Sequence, residues 1–254
     1  MKRLIFIGDV HGMKHSLQEL IEKLSPASDD LVIFLGDLLD KGPDSQGVVS
    51  YIRAIRDMTN VVLIKGNHEG KHERFRRKMK NGKINEAKQM KKFDELKEIT
   101  SKLLEEDIEF LESAVYYHQV DGYIAIHGGI PGNMKTLPSL PSPGVEFSSK
   151  QRDWIELLTF TRYIGEHTGR MISLGREEED DPFWAEVYDG RFGRAVFGHQ
   201  PWKDGVHWFD NAIGIDTAAV HGHQLSALVV ESGVETIVSV DCEKYQEFYE
   251  YYKQ

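Results

Sequence analysis

Within its first 64 residues the chain spells strand, helix, strand, helix, strand, and no other feature constrains its fold as much. Leu4–Ile7 is an unbroken apolar run between Arg3 and Gly8, as expected of a strand buried on both faces. The next apolar residues, Leu17, Leu20, Ile21 and Leu24, recur at i, i+3, i+4 and i+7, one face of a helix. Residues 31–35 form a second apolar run, Val48, Val49, Ile52 and Ile55 mark a second helix, and residues 61–64 a third strand. Strands joined through helices in this way lie parallel with right-handed crossovers.

From Phe93 the positions Phe93, Leu96, Ile99, Leu103, Leu104, Ile108 and Leu111 predict one continuous helix of about five turns. The strand-type runs 115–120 and Tyr123–Ile126 flank Asp121-Gly122, a two-residue hairpin signature. Residues 131–143 hold four of the eight prolines, which exclude helix and central strand, so a loop is expected over 131–150. Residues 154–163 predict a further helix and 177–181 an acidic, solvated surface. The runs 195–197, 207–209, 212–215, 225–230 and 234–240 read as strands.

Composition narrows the class. With 254 residues, 40% hydrophobic and 28% charged, the chain has material for a sizeable core. Its net charge of −10 repels polyphosphate backbones, which argues against a nucleic-acid coat protein and against any stable nucleic-acid partner. The single cysteine, Cys242, allows neither an intrachain disulfide nor a cysteine zinc site and suits a reducing compartment. The longest apolar run is five residues, too short for a signal core or a membrane span, so a cytoplasmic protein without a membrane partner is expected.

Five strand-type runs end in the same kind of text. These endings are Gly8-Asp9-Val10-His11-Gly12, Gly36-Asp37-Leu38-Leu39-Asp40-Lys41-Gly42, Gly66-Asn67-His68-Glu69, His127-Gly128-Gly129 and Gly198-His199-Gln200-Pro201. Ligands of α/β sheets gather outside the carboxyl ends of the strands, so endings spread from position 9 to 199 converge on one crevice, which favours one domain over two. The side chains offered are carboxylate, imidazole and amide without thiolate, a donor set suited to Mn, Fe or Zn. Six or more such groups exceed the needs of one tetrahedral ion and match two ions about 3.5 to 4 Å apart sharing a carboxylate and a water deprotonated near neutral pH.

On these motifs the sequence resembles the calcineurin-like metallophosphoesterases, in the branch holding phosphoprotein phosphatases and bacterial diadenosine-tetraphosphatase-like enzymes. The resemblance covers roughly residues 3 to 70, 120 to 132 and 181 to 230. It implies an α/β protein, a sandwich of two mixed β-sheets flanked by helices. Its residues 1–254 would form one domain with a basic helical insertion at about 71–115 and the Pro-rich loop 131–150. It implies two divalent ions, manganese foremost, with Fe, Zn, Ni or Co as other occupants. Asp9 and His11 would hold the first, Asp37 would bridge, and Asn67, His127 and His199 would hold the second. His68 would act as general acid with Asp40 orienting and charging its ring. Lys41 stands where this branch commonly has arginine, so a point charge replaces a fork. Arg162 is a candidate to supply that fork. The expected activity is a phosphohydrolase in which a metal-bridged hydroxide attacks phosphorus.

The segment 181–193 resembles the region before GHxP in the diadenosine-tetraphosphatase type, its aromatics reading as core, and Asp216 reads as structural. That segment favours a small phosphorylated substrate, a dinucleoside polyphosphate or nucleotide. A phosphoprotein is the alternative, and a non-catalytic scaffold on the same fold a second one. Residues 71–92 hold ten Lys/Arg against two Glu, a local +8 beginning beside the Gly66-Asn67-His68-Glu69 motif. If that charge faces the crevice, it attracts polyanions.

Overall fold

A computed structural model describes residues 2–140 and 147–243. Strands β1 (Leu4–Ile7), β2 (Leu31–Phe34) and β3 (Asn60–Leu63) alternate with helices α1 (Lys14–Leu24) and α2 (Ser45–Ile55), and both strand pairings are parallel. The helices bury the apolar faces read from the sequence, Leu17, Leu20, Ile21 and Leu24 on α1 and Val48, Val49, Ile52 and Ile55 on α2. Asp44 fixes the start of α2, its carboxylate accepting the Gly47 N–H at 2.8 Å. Four helices follow, α3 (Asn67–Lys80), α4 (Ile84–Lys88), α5 (Phe93–Lys102) and α6 (Glu105–Glu112). Then come β4 (Tyr117–Val120), β5 (Tyr123–Ile126), α7 (Ser149–Glu156), and the small pair β6 (Tyr163–Ile164) and β7 (Met171–Ile172). The chain continues through β8 (Arg194–Phe197), β9 (His207–Trp208), β10 (Ala212–Gly214), β11 (Gln224–Glu231) and β12 (Val234–Asp241).

Two mixed five-stranded sheets result, in the orders β12-β11-β1-β2-β3 and β4-β5-β8-β10-β9. They pack face to face. Along β1 the side chains alternate: Ile5 and Ile7 meet Leu17 and Val48 of the helices, whereas Leu4 and Phe6 share a core with Ala125, Val196 and Ile213 of the second sheet. The outer face of the second sheet is covered by Trp184, Met134 and Leu158, so the aromatics of segment 181–193 are core. The Asp121-Gly122 hairpin is present, with φ of 46° and 85° at its two turn residues.

Two helices differ from expectation. The helix read over 93–111 is broken between α5 and α6, where Leu103 and Leu104 are extended. The Asp107 carboxylate accepts the Leu104 N–H at 3.0 Å and starts α6, while Arg53 and Ser50 of α2 hold the same carboxylate. The helix read over 154–163 starts earlier, where Ser148 Oγ accepts the Gln151 N–H, and ends in a single tight turn at Leu157–Thr159. Within the loop expected over 131–150, residues 141–146 lie outside the described residues. The acidic run 177–181 is solvated as read, exposed through residue 180. No helix among the described residues is long and apolar enough to cross a membrane.

Candidate active site

All five glycine-rich endings meet at one edge of the sandwich. The two sheets are joined there by His127, whose Nδ1–H donates to the Leu35 carbonyl after β2 at 2.8 Å, while its own carbonyl accepts the Gly198 N–H at 2.9 Å. The His199 N–H in turn donates to the Asp9 carboxylate at 3.1 Å. The close approach explains two glycines. A Cβ on Gly66 would fall 2.2 Å from Asp37 Oδ1, and one on Gly198 would fall 2.1 Å from Asp9 Oδ1. Backbone strain gathers at the same place, since His11, Asp37, Asp40, Lys41 and His199 all have φ between 44° and 68°.

Asp37 lies at the centre of this edge. Its Oδ2 is 3.5 Å from His11 Nε2 and 3.9 Å from His68 Nε2, and its Oδ1 is 3.3 Å from His127 Nε2. Two groups of side chains therefore have metal-ligand spacing, His11–Asp37–His68 and Asp37–His127–His199, and Asp37 belongs to both. Asn67 Oδ1 joins the second group, 3.0 Å from His127 Nε2. Asp9 belongs to neither group by spacing but lies at the same edge, its Oδ1 3.9 Å from His127 Nδ1.

The electrostatics are those of a cation site. Burial raises the Asp37 pKa, but the rings of His127, His68 and His11 outweigh it and hold the carboxyl well below the usual range. Burial lowers His127, yet Asp37 and Asp9 prevail and push it up to about 9. A proton on His127 Nε2 thus sits between the oxygens of Asn67 and Asp37, where two acceptors converge. His11 and His199 are pushed far below the ordinary imidazole range, chiefly by burial, and stay neutral. His199 Nε2 is buried without a hydrogen-bond partner among the described residues. A bare buried imidazole nitrogen beside a shared anionic carboxylate is the donor chemistry that divalent ions require, so these residues fit metal binding.

His68 and Asp40 are hydrogen-bonded, Nδ1 to Oδ2 at 2.5 Å. Because a carboxylate only accepts, Nδ1 carries the hydrogen and Nε2 is the nitrogen turned toward Asp37. Two residues without a role in the sequence reading complete the frame. Glu69, fully buried, accepts the N–H groups of Asp37, Leu38, Leu39 and Gly66 at 2.8 to 3.3 Å and so clamps the strained turn after β2. His72, also buried, donates from Nε2 to the other oxygen of Asp40 at 2.7 Å. Their spacing, three residues after Gly66 and five after Asn67, is the one signal that could have pointed to them.

The candidate substrate residues both border the site. Lys41 Nζ lies 2.7 Å from His11 Nε2. Arg162 donates from Nη2 to the His199 carbonyl at 2.8 Å, and its Nε is buried with no partner among the described residues. Asp216 accepts the Ala218 N–H at 3.0 Å and is buried, and its charge pushes the Asp9 pKa up further after burial. Within residues 71–92, Arg77 faces Glu73 and Lys78 faces Glu86, both already counted in the +8, and carboxylates outside the segment meet part of the remainder, Glu156 at Arg74, Glu112 at Arg76 and Glu95 at Lys92. Only the start of the segment reaches the site, through Lys71 Nζ at 3.5 Å from Asp40.

Comparison with known proteins gives the family and the fold. The chain is 29% identical over 237 residues to an asymmetrical bis(5'-nucleosyl)-tetraphosphatase of Anoxybacillus flavithermus, covering 87% of this chain and 88% of the relative. It is 24% identical to a symmetrical bis(5'-nucleosyl)-tetraphosphatase of Paraburkholderia phymatum, over 93% of each. A crystal structure provisionally named a diadenosine tetraphosphatase shares the fold with a TM-score of 0.67 at 22% identity, covering 95% of this chain and 94% of the other. The family model for calcineurin-like phosphoesterases matches residues 2–229, and the chain therefore belongs to that family, an enzyme hydrolysing phosphoric esters or anhydrides.

Proposed function

We propose that the chain is a two-metal phosphohydrolase acting on a dinucleoside polyphosphate or a related nucleotide. The observation that carries the two-metal reading is Asp37, whose oxygens face different groups, Oδ2 toward His11 and His68 and Oδ1 toward His127. Asp9 and His11 would hold one ion and Asn67, His127 and His199 the other, with Asp37 shared and manganese, iron, zinc, nickel or cobalt as occupants. Bound there, two divalent ions neutralise phosphoryl oxygens and make a water acidic enough to lose its proton near neutral pH.

This chain's own residues do the rest. Arg162 presents an unpaired buried Nε and Lys41 an ammonium, both suited to phosphoryl oxygens. His68, oriented by Asp40, delivers a proton from Nε2 to the departing oxygen. The relatives' names support a nucleotide substrate, and a cavity of about 560 Å³ opens beside Lys41, walled by Glu95, Glu98, Ile99 and Lys102 of α5. In this reading residues 1–254 form one domain, the helices within 71–115 wall the substrate side, and the enzyme works in the cytoplasm, which suits the unpaired Cys242. Manganese-loaded protein given diadenosine tetraphosphate and, separately, a phosphopeptide tests it by chromatography. ATP plus AMP, or two ADP, supports the nucleotide reading. Phosphate released from the peptide alone replaces it with a protein phosphatase.

A further inference from the structure

We infer that His72 is a positioning residue for the proton donor, gripping Asp40 from the side opposite His68; the inference rests on the phosphohydrolase reading above. The two oxygens of Asp40 are divided between two imidazoles, Oδ2 to His68 Nδ1 at 2.5 Å and Oδ1 to His72 Nε2 at 2.7 Å. His68 and His72 are four residues apart on α3, hence on one face, and the helix sets the distance between them. His72 is fully buried and its other nitrogen, Nδ1, lies 3.3 Å from Thr100 Oγ1 of α5. The carboxylate can only accept, so the Nε2 of His72 carries the hydrogen and Nδ1 accepts from the Thr100 hydroxyl.

This chain of contacts does what the turn itself cannot. Asp40 sits at φ 68° in the loop after β2, its N–H donating to Ser45 Oγ at 3.0 Å. Its backbone is thereby placed, but rotation of a carboxylate about its terminal torsion has no sharp minimum. Partners on both oxygens fix the plane, which aims Oδ2 along the Nδ1–H of His68 and holds Nε2 toward Asp37. Without His72, Oδ1 is a buried acceptor missing its donor, and nothing holds the carboxylate plane while Lys71 Nζ, 3.5 Å from Oδ2, competes with His68 for that oxygen.

The test compares His72→Leu, His72→Gln and Thr100→Val, the glutamine amide reaching about as far as Nε2. Acid catalysis matters for a poor leaving group and little for a good one. With metal-loaded enzyme, His72→Leu is expected to lower kcat about tenfold on an alkyl phosphate and less than about threefold on a nitrophenyl ester, with KM and metal content unchanged, in line with one charge-assisted hydrogen bond. His72→Gln is expected to recover most of that rate, and Thr100→Val to show a two- to threefold selective loss on the scale of a neutral bond. A second readout needs no activity. In metal-free protein the His68 Nδ1 proton should resonate far downfield in the proton NMR spectrum, weaken in His72→Leu and persist in His72→Gln. If His72→Leu fails to fold, the glutamine and valine variants decide. Equal losses on both esters, or an unchanged resonance in folded His72→Leu, overturn the inference. Wild-type protein inactive on diadenosine tetraphosphate as well as on both esters overturns the phosphohydrolase reading instead, while the resonance still decides whether His72 orients His68.

Discussion

Glu69→Gln is the substitution whose cost the structure specifies most directly. The Glu69 carboxylate serves four backbone donors: Oε2 accepts from Asp37 at 2.8 Å and Gly66 at 3.0 Å, and Oε1 from Leu38 at 2.9 Å and Leu39 at 3.3 Å. Glutamine keeps one oxygen, so two of the four N–H groups would face an NH₂ group and lose their acceptor. A buried donor left unsatisfied costs about 1–3 kcal/mol, or about 2–6 kcal/mol for the pair. Burial and the neighbouring Asp37 push the Glu69 pKa up, so removing its charge returns part of that, and a net loss of about 2–4 kcal/mol is expected. Against a typical total of about 5–15 kcal/mol this is readily seen in urea unfolding of metal-free protein, as a lowered midpoint at constant m. The same change should weaken metal binding, because the clamp holds Asp37 at φ 49°. A variant within about 0.5 kcal/mol of wild type, with normal metal affinity, would refute the clamp.

His68→Asn should keep both metals and lose about 10²- to 10⁴-fold on an alkyl phosphate but far less on a nitrophenyl ester; equal losses on the two would contradict the acid role. The His127 pKa, about 9 in the fold, lies above its ordinary 6.5, so its contribution to metal-free stability is complete below about pH 6.5 and is lost as pH rises through about 9. The melting midpoint of metal-free protein should fall over that window, and metal loading at pH 8 should release protons, visible by calorimetry in buffers of different ionisation heat; flat behaviour in both would remove the protonated-ring account. Ile99→Trp, which fills the cavity beside Lys41, should raise KM for diadenosine tetraphosphate several-fold and leave that for a nitrophenyl ester unchanged. Parallel changes would show that the cavity holds no part of the substrate.

Much of the sheet was legible because β1 and β2 are buried on both faces, which leaves runs such as Leu4–Ile7 with no polar interruption. The break between α5 and α6 was not. Leu104 continues the apolar period although it is 55% exposed, and Asp107 starts α6 with partners on α2 some fifty residues away. The convergence of the site was legible in five repeated strand endings, each short, polar and glycine-bearing. Glu69 and His72 were not, because each reads as an ordinary helical residue until the turn after β2 is folded against α3. The basic segment shows the opposite error of local reading. Its net charge is real, but Glu112 of α6 and Glu156 of α7, far away in sequence, stand against Arg76 and Arg74.

The central claim is that Asp37 is shared by two ions, and metal stoichiometry tests it most directly. Elemental analysis of manganese-saturated wild-type protein should find two ions per chain. Asp37→Asn, whose amide cannot present two anionic oxygens, should retain at most one and lose turnover by orders of magnitude. Two ions with near-normal turnover in the variant would contradict the account.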